Sequence, residues 1–192
     1  MGHDEFENLT SDFARTHSFK KNSRFNIGDD FPAWFENAIM SEPGKAHSVG
    51  IFALLKFELC IHHVEISCRT PQFSADKLTQ WMEVDSNLSA QLAPGLLVLE
   101  TNYDIEPMLK EKVFIPANNI YLIGISATEK AHYIKLNRDE YGEGIKLNRP
   151  QTYLEWIKSI PAGSLLSDPG RLFELLQKFI SAGWLETTEI NL

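Results

Sequence analysis

Positions 145–186 read IKLNRPQTYLEWIKSIPAGSLLSDPGRLFELLQKFISAGWLE, and the order of signals within them decides what kind of domain closes the chain. The last helix is marked most clearly. Ser167 or Asp168 stands where an N-cap belongs, and Pro169 follows at a position where its missing N–H costs nothing. Leu172, Leu175, Leu176, Phe179 and Ile180 then recur at three and four, which draws one apolar stripe along a helix. Gly183 ends it as a C-cap residue, and Trp184, Leu185 and Glu186 return to extended chain. Upstream, the spacing of Leu154, Ile157 and Ile160 predicts a shorter helix, with Asn148 as its N-cap and Pro150 in its first turn.

Moving outward, the stretch before these helices has the shorter period of strands. LLVLETNY (96–103), KVFIPANN (112–119) and IYLIGISAT (120–128) are rich in β-branched and aromatic residues and are separated by Pro, Asn and Gly. AHYIKLNRD (131–139) predicts one more strand, bounded by a turn at Tyr141, Gly142, Glu143 and Gly144. The first half is helical instead. Phe6, Leu9 and Phe13 share one spacing, and Trp34, Phe35, Ala38 and Ile39 another. Positions 48–68 predict a long helix that is apolar around most of its girth, as expected of a central helix in a small layer. Positions 74–92 predict a further helix capped by Ser74, with Leu78, Trp81, Met82 and Leu88 facing inward. The expected fold class is α+β, with a helical domain over 1–93 and a second domain over 94–192 made of a small β-sheet and winged-helix-like elements.

Composition narrows the partners. The chain has 192 residues, 43% of them hydrophobic, enough for one substantial core or two small ones without a metal or disulfide staple. Lys and Arg total 18 against 26 Asp and Glu, a net charge of -8 that repels phosphate backbones and anionic lipid. Neither nucleic acid nor membrane is an expected partner. The N-terminus is acidic where a signal peptide would be basic, and no apolar run approaches the roughly 20 residues of a membrane span, so a cytoplasmic location is expected. Two cysteines, Cys60 and Cys68, are too few for a disulfide framework.

Residues that could carry chemistry are few. Cys60, His62, His63, Glu65 and Cys68 fall within nine positions and are the residue types that bind zinc or copper. Helical geometry separates them: His62 and His63 point about 100° apart, leaving a face with Cys60 and Cys68 flanked by His63. Small core cysteines and partly exposed histidines explain the cluster more simply, so no metal ligands are assigned. No nucleophile elbow and no phosphate-binding glycine loop is present, and the adjacent acids Asp139 and Glu140 fall in the expected turn as solvated charges. No catalytic residues are therefore expected. The outward face of the last helix offers Arg171, Glu174, Gln177, Lys178 and Ser181, nearly neutral where a DNA-reading helix stands in a basic field. A winged-helix transcription regulator, and a metal-binding protein using Cys60, His63 and Cys68, stand as alternatives. DNA retention at moderate salt would favour the first, and stoichiometric metal the second.

The order of strands, IKLNRPQTYLEWI, the AGSLL turn, the final helix and AGWLE together resemble the small winged-helix modules that recognise leader peptides of ribosomally made, post-translationally modified peptides. Farther upstream, LAPGLLVLETNYDIEPML and IYLIGISATEKAHYIKLN resemble the second half of partner proteins that accompany TIM-barrel multinuclear iron oxidases, those of methanobactin biosynthesis being nearest in size and layout. The resemblance covers roughly positions 48–186. It implies a non-catalytic subunit in a hetero-oligomer, with no cofactor of its own. The oxidase would hold the iron and convert cysteines of a precursor peptide to oxazolone and thioamide groups, on the way to a copper chelator. An extended leader peptide could add to a strand edge beside a helix. The residues singled out for that groove are His132, Tyr133, Ile134, Lys135 and Leu136 on the strand, with Arg171, Glu174, Gln177 and Lys178 on the helix. Trp34, Phe35 and Trp81 in the aromatic-rich helical half are the expected contact with the enzyme.

Overall fold

The computed structural model describes residues 46–190 apart from Cys68, Phe73, Val84 and Asp85. The expectations placed on Phe6, Leu9, Phe13, Trp34, Phe35, Ala38 and Ile39 lie outside the described residues. The fold is α+β, as the sequence implies. Along the chain run helix α1 (Ala46–Ser67), α2 (Ala75–Trp81), strands β1 (Leu88–Leu92) and β2 (Leu97–Tyr103), α3 (Ile105–Glu111), β3 (Pro116–Ile125) and β4 (Ala131–Leu136). They are followed by α4 (Arg138–Gly144), α5 (Tyr153–Lys158), α6 (Pro169–Ala182) and β5 (Leu185–Glu189), with short 3-10 turns at Ile145–Asn148 and Leu165–Ser167.

The chain divides into two compact units that do not follow one another in sequence. One is Met1–Leu59 with Asn102–Ala117; the other is Cys60–Thr101 with Asn118–Leu192. Within the first, Phe57, Ile105 and Met108 are buried, and Phe114 meets Tyr103 edge to face at 6.5 Å. Asp104 caps α3 through its carboxylate, and Lys112 closes that helix in the left-handed region at φ 58°. The second unit holds the larger core, built from Leu78, Trp81, Leu122, Trp156, Leu176, Phe179 and Trp184 among others.

Three fully buried tryptophans carry that core, and each indole N–H has an acceptor. Trp81 donates to the Gln151 carbonyl at 2.9 Å, Trp156 to that of Glu143 at 3.1 Å, and Trp184 to that of Ile125 at 2.8 Å. A large apolar ring is thus buried without leaving its polar edge unpaired, which would cost about 1–3 kcal/mol each. Two small sheets frame the core: β1 pairs antiparallel with β5, and β2, β3 and β4 lie in that order. Ala90 of β1 also exchanges backbone bonds with Gln151 at 2.9 and 3.0 Å, so β1 has a partner on either side.

Several elements differ from their sequence reading. The helix expected over 74–92 stops at Trp81, and Leu88–Leu92 is a strand. Its apolar/polar alternation, Leu88, Ala90 and Leu92 about Ser89 and Gln91, spans only five residues, and β5, its partner, lies about a hundred residues away. Long-range pairing overrides the local spacing there. KVFIPANN and IYLIGISAT are not two strands: after irregular 113–115, one strand runs from Pro116 to Ile125, with Pro116 at its first residue, where no ladder donor is needed. The strand expected over 131–139 ends at Leu136, and the expected turn at 141–144 is helix α4. Asn137 caps it, accepting from Glu140 N while the Glu140 carboxylate accepts from Asn137 N, a reciprocal box. Asn148 is no N-cap but ends a 3-10 turn. Thr152 caps α5 in a second such box with Glu155, and Leu154 is exposed.

Helix α6 matches its reading closely. Asp168 accepts from Gly170 N, Pro169 opens the first turn, and Leu172, Leu175, Leu176 and Phe179 are buried. Gly183 closes it at φ 72°, with its N–H bonded to Ile180 O and that of Trp184 to Phe179 O. The extended residues after Gly183 form β5.

Candidate functional site

Among the described strands β4 is the last in the order of the larger sheet, and it is followed along the chain by α4, α5 and α6. Which of its main-chain groups face outward follows from the register. Ile125 pairs with Ala131, Leu122 with Ile134 and Ile120 with Leu136, and the hairpin closes with Ser126 N donating to Lys130 O at 2.8 Å. Hydrogen-bonded pairs alternate along an antiparallel ladder. His132, Ile134 and Leu136 therefore exchange bonds with β3, and Ala131, Tyr133 and Lys135 direct N–H and C=O away from it. Lys178 Nζ of α6 reaches the Lys135 carbonyl at 3.4 Å, the side on which this register places it.

The residues singled out from sequence divide accordingly. Ile134 and Leu136 are 6% and 2% exposed and belong to the core, so they hold the strand rather than meet a ligand. His132 is exposed, with its ring 5.8 Å from Trp184 and 6.3 Å from Tyr133, and Tyr133 packs edge-on against Tyr121 at 6.0 Å. On α6, Arg171, Glu174 and Gln177 are exposed, while Lys178 is half-buried. Lys178 Nζ donates to Glu140 Oε1 at 2.6 Å, so one ammonium ties α6 to α4 and to the β4 backbone. Glu140 is accordingly not a solvated acid of a turn: it caps α4 and anchors Lys178. That role had a legible sign, the Asn137-to-Glu140 spacing of a capping box.

Between α4 and the start of α6 lies a cleft of about 400 Å³ whose lining includes Asn137, Glu140, Asp168, Arg171 and Glu174. A second cleft of about 370 Å³ is mainly apolar and lies between α5 and α6, bounded by Tyr153, Ile157, Leu172, Phe173 and Leu176. Burial there pushes the Tyr153 phenol up, which keeps it neutral. Phe173 is 56% exposed at its mouth.

Trp81, expected at the contact with an enzyme, is instead fully buried, hydrogen-bonded through its indole and packed on Tyr153 at 5.2 Å; it is a core residue. Trp34 and Phe35, named with it, lie outside the described residues. Of the cysteine and histidine cluster, Cys60 is half-buried, His62 and His63 are exposed, and Cys68 lies outside the described residues. Among the described residues no group of three or more His, Cys, Asp or Glu side chains is gathered to hold a metal ion. No described helix is long and apolar enough to cross a membrane. No protein-family model matches the chain, and neither does any curated protein.

Proposed function

We propose that this chain binds an extended precursor peptide along β4 and α6, and serves as the non-catalytic partner of an iron-dependent oxidase that modifies cysteines of that peptide. The observation that supports the peptide reading most is the position of β4. Among the described strands it is last in the sheet order, its register directs the Ala131 main chain outward, and α6 is tied to it through Lys178. A peptide added there gains main-chain hydrogen bonds from the strand and meets exposed His132, Arg171, Glu174 and Gln177, which can read its side chains. The oxidase, its iron and the cysteine chemistry rest on the sequence resemblance. In that scheme the iron belongs to the partner, and the chain's own residues contribute binding and orientation only.

Random peptides displayed on phage, selected on the full chain and then measured by calorimetry as synthetic peptides, test the binding. Selected peptides should lose most of their affinity when Tyr133→Pro removes an outward N–H, in a variant whose circular dichroism matches the parent. Peptides that bind the folded Tyr133→Pro variant as tightly as the parent would overturn the assignment. For the division of labour, the isolated chain with iron added should oxidise no peptide. Turnover by the chain alone would contradict that role.

A further inference from the structure

Helix α6 has a second exposed flank, which the peptide reading leaves unused. Phe173 lies about 140° around the helix from Lys178, and it is 56% exposed. Beside it runs the apolar cleft of about 370 Å³. Both walls of that cleft have helical spacing, with Pro169, Leu172, Phe173 and Leu176 from α6 facing Tyr153 and Ile157 from α5. Over positions 169–176 such a groove extends about 10 Å, two turns of a helix. Tyr153 is a rigid part of the wall, because it packs edge-on against the buried Trp81 at 5.2 Å.

The chemistry of the groove selects its occupant. An extended peptide laid between two helices finds only side chains there, and its own N–H and C=O groups would stay unpaired against apolar surface. A helix satisfies its own main chain and needs side chains alone. Charge selects further. Leu166 lines both this groove and the cleft between α4 and α6, where Asp139, Asp168 and Glu174 are exposed against one exposed cation, Arg171. On the other sides Glu83 follows Met82 and Lys158 follows Ile157, so the rim is acidic on balance, and the whole chain carries -8. We propose that the groove between α5 and α6 docks a basic amphipathic helix of a protein partner, with apolar residues at i, i+3 or i+4 and i+7 and Lys or Arg beside them. The apolar stripe packs between Tyr153 and Phe173, and the cations face Asp168 and Glu174. No residue of β4 takes part, so the inference stands apart from the peptide reading.

Calorimetry on the full chain is the test, with a synthetic Leu/Lys helix of about 18 residues, long enough to form in water, as the probe. A Leu/Glu helix with the same Leu stripe and a scrambled Leu/Lys peptide of the same composition serve beside it. The chain should bind the Leu/Lys helix at least about tenfold more tightly than either. Phe173→Ser, in a variant whose circular dichroism matches the parent, should weaken that binding about tenfold, the scale of one lost interface anchor. Glu174→Gln should weaken it less and flatten its dependence on salt. A Leu/Lys helix held as tightly by folded Phe173→Ser as by the parent would overturn the proposal, as would equal affinity for the Leu/Glu helix or for the scrambled peptide. A chain that binds none of the three also counts against it. If Phe173→Ser loses its helical signal, Ile160→Ala at the end of the same groove takes its place, and unchanged binding there overturns the proposal in the same way.

Discussion

Lys178 shows how far a surface pattern can mislead about a single residue. From the stripe of α6 it is simply an outward-facing cation. In the fold it is bonded to Glu140 and to the Lys135 carbonyl. Lys178→Glu places a carboxylate beside Glu140 and breaks the tie between α6 and α4. The expected loss is about 1 kcal/mol, at the upper end for partly exposed pairs, read as a lower urea midpoint with an unchanged slope. A second residue-level expectation concerns Glu155. The Thr152 backbone N–H, then its hydroxyl, holds the Glu155 carboxyl below the usual carboxylate range. A depressed folded value contributes stability above the unfolded value and loses it as pH falls through the folded one. The urea midpoint of the parent should therefore drop more on acidification through the carboxylate range than that of Glu155→Gln. Equal drops would show that the α5 cap adds nothing.

At the scale of elements, α6 was legible because every local signal agreed: Asp168, Pro169, a regular stripe and Gly183 all mark the same helix. Gly183 is needed for its φ of 72°, and a Cβ there would approach the Ala127 Cβ to 2.5 Å. Gly183→Ala should cost more than the roughly 1–2 kcal/mol of the left-handed conformation alone, visible as a lowered midpoint of thermal unfolding. β4 was legible as a strand, but Ile134 does not lie on its outer edge. Its N–H belongs to the ladder with β3 and its side chain to the core. Ile134→Pro should unfold the second unit, whereas Tyr133→Pro should keep the parent's circular dichroism. The elements that escaped the sequence did so for two reasons. β1 depends on a partner distant in sequence and alternates over only five residues, at the end of a stretch with helical spacing. Helix α4 carries Gly142 and Gly144, which read locally as a turn. Gly144 is instead a packing residue, where a Cβ would come within 2.7 Å of the Phe179 ring. For the site, the strand and the exposed face of α6 were legible. The Glu140 anchor and the inward orientation of Ile134 and Leu136 needed the register.

At the scale of the whole molecule, three strands followed by three helices give the second unit a sheet end with a helix tied beside it, and that is the basis for reading the chain as a peptide binder. The net charge of -8 does not forbid this, because main-chain pairing along β4 carries no charge requirement and the exposed side chains of α6 are of both signs. The most direct measurement is amide hydrogen exchange by nuclear magnetic resonance on the full chain, with and without a phage-selected peptide. Exchange at Ala131 and Tyr133, whose N–H groups point outward, should slow on addition of peptide, while Ile134 and Leu136, already paired with β3, should not change. Slowing confined to the apolar cleft between α5 and α6, with Ala131 and Tyr133 unaltered, would contradict the central claim.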